Sequence, residues 1–379
     1  MRIGINRIGF ATARYYLDMD ELSAHNQTDP NKYRTGLGQD KIAICPPDED
    51  IVTLACKALS PIAASRDLSN VDTLLFATES GIDQSKAAGI YVQKLMNLPK
   101  QMRIVELKQA CYSATAALQL ARSYVAEKPS REVLVIASDI ARYDRDSAAE
   151  ATQGAGAVAM LITQNPEILE IEPISGLYSE DIMDFFRPNH RKTPLVDGRF
   201  STTAYLKALE GAWEHYQQQG GLADFKALCY HLPFGKMGVK AHEKWSKLNH
   251  QTPDFSLLDA GLIYNRQIGN SYSASLYISL CSLLENREDL AGQRIGMFSY
   301  GSGCVSEFFS ARVCEGYQSA LFHQHHQAML ESRSPLRYEQ YARWHTPDDG
   351  EFGDAVFHDS ESGTPRLAAI TQHQRRYQP

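Results

Sequence analysis

The 379-residue chain is 43% hydrophobic and 22% charged, the proportions of a water-soluble globular protein with room for two packed units. A formal net charge of −7 argues against a general nucleic-acid binder, and no apolar run approaches the length needed to cross a bilayer. Seven cysteines, an odd number without paired spacing, suit a reducing cytoplasm, and the opening Met1-Arg2-Ile3-Gly4-Ile5 has no signal-peptide core.

In chain order, 2–9 reads as a strand. Its Gly4-Ile5-Asn6-Arg7-Ile8-Gly9 lacks the Gly-x-Gly-x-x-Gly spacing of a dinucleotide-binding turn, so no nicotinamide fold is expected. A short helix over 19–24 and a longer one over 50–59 flank a turn-rich loop at Asp29-Pro30-Asn31. An apolar strand over 71–78 ends in Glu79-Ser80-Gly81, and a helix over 87–95 and a strand over 104–107 follow. Cys111 stands at the seam between that strand and an Ala/Leu-rich run, 113–127, that has no Gly or Pro and reads as helix. A thiol at a helix N-terminus meets unpaired N–H groups and the positive end of the dipole, which favour the reactive thiolate. A buried strand over 132–137 ends in Ser138-Asp139, and Gly154-Ala155-Gly156 leads into another over 157–162.

The second half repeats this order. A strand over 225–230 ends in His231-Leu232-Pro233, a helix spans 236–248, and Gly269-Asn270-Ser271 opens an apolar helix reaching residue 284. A strand over 294–298 runs into Ser299-Tyr300-Gly301-Ser302-Gly303, followed by a last strand over 305–311. Glu79 precedes Cys111 by 32 residues and His231 precedes Asn270 by 39, so both halves place one polar residue at a strand end and one at a helix start. Such positions lie at the C-terminal ends of parallel strands, where ligand crevices form. The repeat therefore predicts an α/β fold of two halves, 1–165 carrying Glu79 and Cys111 and 166–379 carrying His231 and Asn270, with the four residues converging on one site.

Between the halves, 184–203 is polar and loop-like, with aromatic and basic residues suited to a ligand. In the polar tail, His323-Gln324-His325-His326 has a metal-binding composition without a Cys or carboxylate nearby; a solvated helix face is expected and no metal.

Read as a set, the chain resembles the short bacterial 3-hydroxy-3-methylglutaryl-CoA synthases of the thiolase superfamily. The phrases that carry the resemblance run nearly end to end. They include Asp29-Pro30-Asn31-Lys32-Tyr33, Ala77-Thr78-Glu79-Ser80-Gly81, Ala110-Cys111-Tyr112, Thr152-Gln153-Gly154-Ala155-Gly156, Asp184-Phe185-Phe186-Arg187-Pro188, His231-Leu232-Pro233-Phe234, Gly269-Asn270-Ser271-Tyr272 and Ser299-Tyr300-Gly301-Ser302-Gly303. The resemblance implies a thiolase-like duplicated fold with two pseudo-equivalent halves in layered αβαβα arrangement. It implies Glu79, Cys111 and His231 as the catalytic set. Asn270 and Ser302 would hold acyl groups, Tyr143, Thr152, Ser201 and Asp29 would line the ligand tunnel, and Lys236 and Lys240 would lie near the coenzyme A phosphates. Acetyl-CoA and acetoacetyl-CoA are the implied partners, as substrates with no further cofactor, in a cytoplasmic homodimer paired through the strand before the Gly-x-Gly turn. A related condensation on a carrier-protein-bound β-keto thioester, as in polyketide β-branching, would use the same residues.

The implied chemistry needs these residue types. A cysteine thioester keeps the methyl protons of its acetyl group acidic enough to remove, as an oxygen ester would not. A carboxylate in a partly apolar cleft has its pKa raised toward neutrality, which suits Glu79 to acid–base work. The backbone N–H groups of Cys111 and of Gly301-Ser302-Gly303 are candidates for an oxyanion hole. Each residue alone has a plain structural reading: Glu79 or Asn270 as a helix cap, His231 as a core histidine, Lys236 and Lys240 as a surface face.

Overall fold

The structure, a computed structural model, describes residues 1–345, 354–357 and 365–378. Of the polar tail, 346–353, 358–364 and 379 lie outside the described residues. The chain opens with strands β1 (Ile3–Thr12) and β2 (Tyr15–Asp18), helices α1 (Met19–His25) and α2 (Asn31–Arg34), strand β3 (Lys41–Ile44) and helix α3 (Ile51–Ser65). It continues through β4 (Val71–Ala77), α4 (Gly89–Leu95), β5 (Arg103–Leu107), α5 (Ser113–Glu127), β6 (Glu132–Ala141) and β7 (Gly154–Gln164). Next come β8 (Leu169–Ser179), the two-residue pair β9 (Phe185–Phe186) and β10 (Leu195–Val196), α6 (Gly198–Gln218), β11 (Ala227–Tyr230), α7 (Gly235–Leu248) and α8 (Asp259–Ile268). The rest is α9 (Ser275–Asn286), β12 (Arg294–Gly301), β13 (Val305–Val313), α10 (His323–Glu331), β14 (Ser334–Pro335), α11 (Tyr338–His345), and β15 (Ala355–Val356), β16 (Arg366–Thr371) and β17 (Gln374–Gln378).

Nine strands form one sheet in the order β11-β12-β13-β8-β1-β7-β6-β4-β5. The duplication is visible in its pairings. β1–β7 and β7–β6 are antiparallel and β6–β4 parallel; β8–β13 and β13–β12 are antiparallel and β12–β11 parallel. The two arms meet where Gly4 and Ile5 of β1 pair with Glu170 and Leu169 of β8. The first arm adds β5 outside β4. Among the described residues the second arm has no counterpart, because the chain passes from α8 straight to Gly269-Asn270. β5 and β11 are thus the sheet's edges.

Burial follows composition. β7, made of small and apolar residues between β1 and β6, is buried along nearly its whole length, as expected of a strand covered on both faces. α3 starts where Asp50 accepts the amides of Val52 and Thr53 while Thr53 Oγ1 accepts the Asp50 amide, a reciprocal cap. Helices α5 and α9 lie side by side: Thr115 of α5 is hydrogen-bonded to Tyr277 of α9 and to Ser299 of β12, each at 2.8 Å. α9 is buried from Ser275 to Leu284, as expected of the apolar helix read there, although it begins at Ser275 and not at Asn270.

Several expectations needed correction. β1 runs on to Thr12, three residues beyond the strand read over 2–9. β8 and most of α6 were not anticipated, and 198–203 is not loop but the first turns of α6, started by Asp197, which accepts the amides of Arg199 and Phe200. β6 extends to Ala141, so Ser138 and Asp139 lie inside the strand. His326 is not on a solvated face: it is fully buried, its Nδ1 2.6 Å from Glu285 and its Nε2 accepting the Phe10 amide at 3.0 Å. The strand before Gly301-Ser302-Gly303 is β12, which is flanked by β11 and β13 and has no open edge for a second copy.

Candidate active site

Glu79 follows the end of β4 and Cys111 stands two residues ahead of α5, so adjacent parallel elements bring them together. The Cys111 thiol donates to Glu79 Oε1 at 3.4 Å. The loop is tight: Ala110 takes a left-handed φ of 43°. Tyr143, beyond the end of β6, lies against the side chain of Asn270, and Tyr143, Tyr272 and Phe185 form an aromatic wall that packs on Cys111.

Asn270 is buried, and its Oδ1 accepts the Tyr272 amide at 2.9 Å. It therefore caps a turn, as its plain reading held, and faces Tyr143 as well. His231, at the strand end equivalent to that of Glu79, is fixed through its backbone. Its N–H donates to Phe298 O at 2.8 Å, its carbonyl accepts the Tyr205 hydroxyl at 2.8 Å, and its Nδ1 is buried without a partner. It makes no hydrogen bond to Cys111 or Glu79. Ser302 accepts Gln109 Nε2 at its carbonyl, 3.3 Å away.

The remaining expected residues make no hydrogen bond to Glu79 or Cys111. Thr152 spends its hydroxyl on Ala149 O at 2.7 Å, and Ser201, on the first turn of α6, bonds Asp184 at 3.3 Å. Asp29 caps the Asn31 amide in an exposed turn. Lys236 and Lys240 sit on the first turns of α7, immediately after the His231 segment. Lys236 is exposed, and its amide donates to Leu37 O at 2.8 Å.

Two buried carboxylates were not singled out from the sequence. Asp139 accepts at Oδ1 from Thr78 Oγ1 (2.8 Å), the Glu79 amide (2.9 Å), the Ser80 amide (3.0 Å) and Ser80 Oγ (2.8 Å). Its Oδ2 accepts the Ser273 amide at 3.0 Å and the Ser273 hydroxyl. Asp184 accepts the Tyr300 hydroxyl at 2.6 Å and the Gly303 amide at 2.9 Å. The Gly303 N–H is thereby removed from the expected oxyanion hole. The only sequence signal for either was its place at a strand end or within a motif.

The electrostatics reverse one expectation. Burial, then the charges of Glu79 and Asp139, push the Cys111 thiol well above its ordinary value, so the helix terminus does not yield a resting thiolate. Burial and the charge of Asp139 raise Glu79 to about 8, against the opposing pull of Arg187, whose guanidinium donates to the Glu79 carbonyl. His231 is held neutral, its pKa lowered to about 3 by burial. The arrangement is a neutral thiol beside a carboxyl that exchanges a proton near neutrality, against an aromatic wall.

A cavity of about 1110 Å³ opens beside Glu79, with Lys86, Lys108, Arg142, Arg145 and Arg187 among its lining. Cys111, His231, Asn270, Lys236 and Lys240 are absent from that lining, so this cavity touches Glu79 on the β5 side and stops short of the thiol.

Comparison with known proteins assigns this architecture. The family model for the hydroxymethylglutaryl-coenzyme A synthase N terminal matches residues 1–167, and that for the C terminal matches 169–252 and 244–344. The chain belongs to the hydroxymethylglutaryl-CoA synthase family. It is 42% identical over 349 residues to the hydroxymethylglutaryl-CoA synthase of Enterococcus faecalis, covering 90% of this chain and 91% of that one. It is 34% identical over 334 residues to a polyketide biosynthesis 3-hydroxy-3-methylglutaryl-ACP synthase of Bacillus subtilis, covering 81% and 79%. A crystal structure of HMG-CoA synthase complexed with CoA superposes with a TM-score of 0.93 at 39% identity, over 100% of this chain and 99% of the other. The thiolase-like fold is therefore that of this family of synthases. Among the described residues, no helix is long and apolar enough to cross a membrane.

Proposed function

We propose that this synthase condenses acetyl-CoA with acetoacetyl-CoA and water to give 3-hydroxy-3-methylglutaryl-CoA and CoA, a step of the mevalonate route to isoprenoids. The observation that carries the residue assignment is the Cys111–Glu79 contact: a thiol and a carboxyl of raised pKa, 3.4 Å apart.

In this reading, ionised Glu79 takes the thiol proton as Cys111 sulfur attacks the acetyl-CoA carbonyl, and returns it to the departing CoA sulfur. Ionised again, Glu79 removes a methyl proton from the acetyl thioester, and the carbanion adds to the ketone of acetoacetyl-CoA. The alkoxide takes that proton back from Glu79, which leaves Glu79 ionised, while a donor N–H of neutral His231 hydrogen-bonds the oxygen. Water, with Glu79 as base, then frees the product and restores the thiol. Neutral His231 and Asn270 orient the acetoacetyl carbonyls by hydrogen bonds. Ser302, Tyr143, Thr152, Ser201 and Asp29 border the ligand, and Lys236 and Lys240 attract the coenzyme phosphates. Residues 1–165 and 166–379 are taken as the two halves between which the site forms.

The second reading, condensation on a carrier-bound acceptor, rests on the 34% identical carrier-acting relative. Turnover with free acetoacetyl-CoA separates the two. Steady formation of 3-hydroxy-3-methylglutaryl-CoA supports the first reading, and activity only with a carrier-bound β-keto thioester removes it. A homodimer is proposed through edge strand β5, whose outer side is unpaired and whose Val105 is half exposed. Sedimentation of the wild-type chain beside Val105→Lys tests it: a dimer that the substitution dissociates is expected, and a wild-type monomer overturns it.

A further inference from the structure

We propose that Glu307, a buried carboxylate on β13 to which the reaction assigns no task, is a positioning residue that acts through Tyr112 to fix the loop carrying Cys111. The Tyr112 hydroxyl donates to Glu307 Oε2 at 2.8 Å, and Gln119 Nε2, on α5, donates to Oε1 at 2.7 Å. Glu307 therefore ties the residue after the nucleophile to the helix that begins beside it. That helix has no side-chain cap of its own at Tyr112.

On its other side the loop lies directly on β12. A Cβ placed on Gly301 would come within 2.5 Å of the Gln109 carbonyl oxygen and 2.7 Å of the Tyr112 nitrogen. Gln109 reaches the Ser302 carbonyl as well. Residues 109–112 are thus seated on β12 by their backbone and anchored to β13 by one carboxylate.

The choice of a carboxylate has a physical reason. Glu307 is 1% exposed, and no cation hydrogen-bonds it, so its charge is costly to bury. An ionised carboxylate accepts at both oxygens, whereas the glutamine of the same size would turn an NH₂ group toward one of its two donors. Only the acid holds Tyr112 and Gln119 at once without ambiguity. Burial also raises its pKa, opposed by Tyr112, by Ser175, by Gln119 and by the charge of Arg122. What the arrangement secures is the direction of the Cys111 sulfur toward Glu79.

The proposal rests on Cys111 as acetyl acceptor. Hydroxylamine-labile labelling of the wild-type enzyme by radiolabelled acetyl-CoA checks that reading first, and no label there would overturn the reading itself and not the role of Glu307. With labelling established, Tyr112→Phe, Glu307→Gln and the double variant are compared in single-turnover acetylation and steady state. Each single change is expected to slow acetylation and kcat roughly tenfold to a hundredfold, the cost of a misplaced reacting atom, with KM for acetyl-CoA held within about twofold. The double variant should be no slower than the worse single one, since both break one connection. Wild-type acetylation in Tyr112→Phe overturns the proposal. So do losses that multiply in the double variant, or losses that track only a lowered melting temperature. Tyr112→Phe removes a single oxygen atom and decides the matter alone should Glu307→Gln not fold.

Discussion

Asp139 accepts the backbone amide of Glu79 at 2.9 Å, so the residue that holds Glu79 in place is also a buried negative charge raising its pKa. Its other oxygen accepts the amide of Ser273, three residues past Asn270, and one carboxylate thereby ties the Glu79 turn to the Asn270 turn across the duplication. Asp139→Asn keeps the shape but leaves an NH₂ group facing donors. The expected cost is about 2–4 kcal/mol of stability, from several buried hydrogen bonds left unmade. Denaturant unfolding measures it, and a loss below about 0.5 kcal/mol would show that the network is replaceable.

Glu79→Gln separates the two stages of the reaction. The amide still accepts from the Cys111 thiol but cannot take a proton. Condensation should fall by about 10³-fold or more, while radiolabel from acetyl-CoA still reaches Cys111 in full stoichiometry, at a lower rate. Normal turnover in this variant would remove Glu79 from the mechanism.

The same pair sets the pH dependence. Below about pH 8 Glu79 keeps its proton, so acetylation and condensation should rise with pH toward a midpoint near that value, and the midpoint of acetylation should move upward in Glu79→Gln. Stability follows the opposite sign. The folded pKa of Glu79 lies above its ordinary 4.5, so its contribution is complete below about 4.5 and is lost as pH rises through about 8. His231, lowered from 6.5 to about 3, contributes stability above pH 6.5 that is lost as pH falls toward 3. Thermal melts of Glu79→Gln and His231→Gln should each flatten the corresponding limb.

What could be read from the sequence was what repeats or alternates. The strand ends at Glu79 and His231 and the helix starts at Cys111 and Asn270 stood out because two copies of one plan carry them. α5 was bounded correctly because its composition is uniformly helical. β8 escaped notice because its burial is mixed along its length, and α6 because its start lies inside a polar stretch whose cap, Asp197, reads equally as a turn residue. Asp139 and Glu307 were hidden for another reason. A buried carboxylate is recognised by its donors, and those come from residues 59 to 195 positions away in the case of Ser80, Ser273, Gln119 and Tyr112. The acidity of Cys111 was misjudged because the helix terminus is local, whereas burial and the opposing charges of Glu79 and Asp139 are not.

Lys236, exposed at the start of α7, tests the proposed coenzyme end of the site. Lys236→Glu should raise KM for both CoA thioesters roughly tenfold at low salt, with a smaller effect at high salt and kcat within about twofold. Unchanged KM would place the phosphates elsewhere, with the basic cavity beside Glu79 the first alternative to probe.

Gly269 determines where Asn270 sits. Its φ is 84°, and a Cβ there would lie 1.9 Å from the Gln153 carbonyl oxygen, because Gly269 and Gly154 meet as an isolated antiparallel bridge. Gly269→Ala therefore combines left-handed strain with a collision against backbone that cannot yield without moving Asn270. A loss of about 2–4 kcal/mol is expected, together with a KM for acetoacetyl-CoA that rises more than that for acetyl-CoA. Gly220→Ala is the control: its φ is 86°, yet nothing lies within 4 Å of the added carbon, so it should cost only about 1 kcal/mol of conformational strain and leave both KM values alone. Equal losses in the two variants would mean that the bridge does not constrain Asn270.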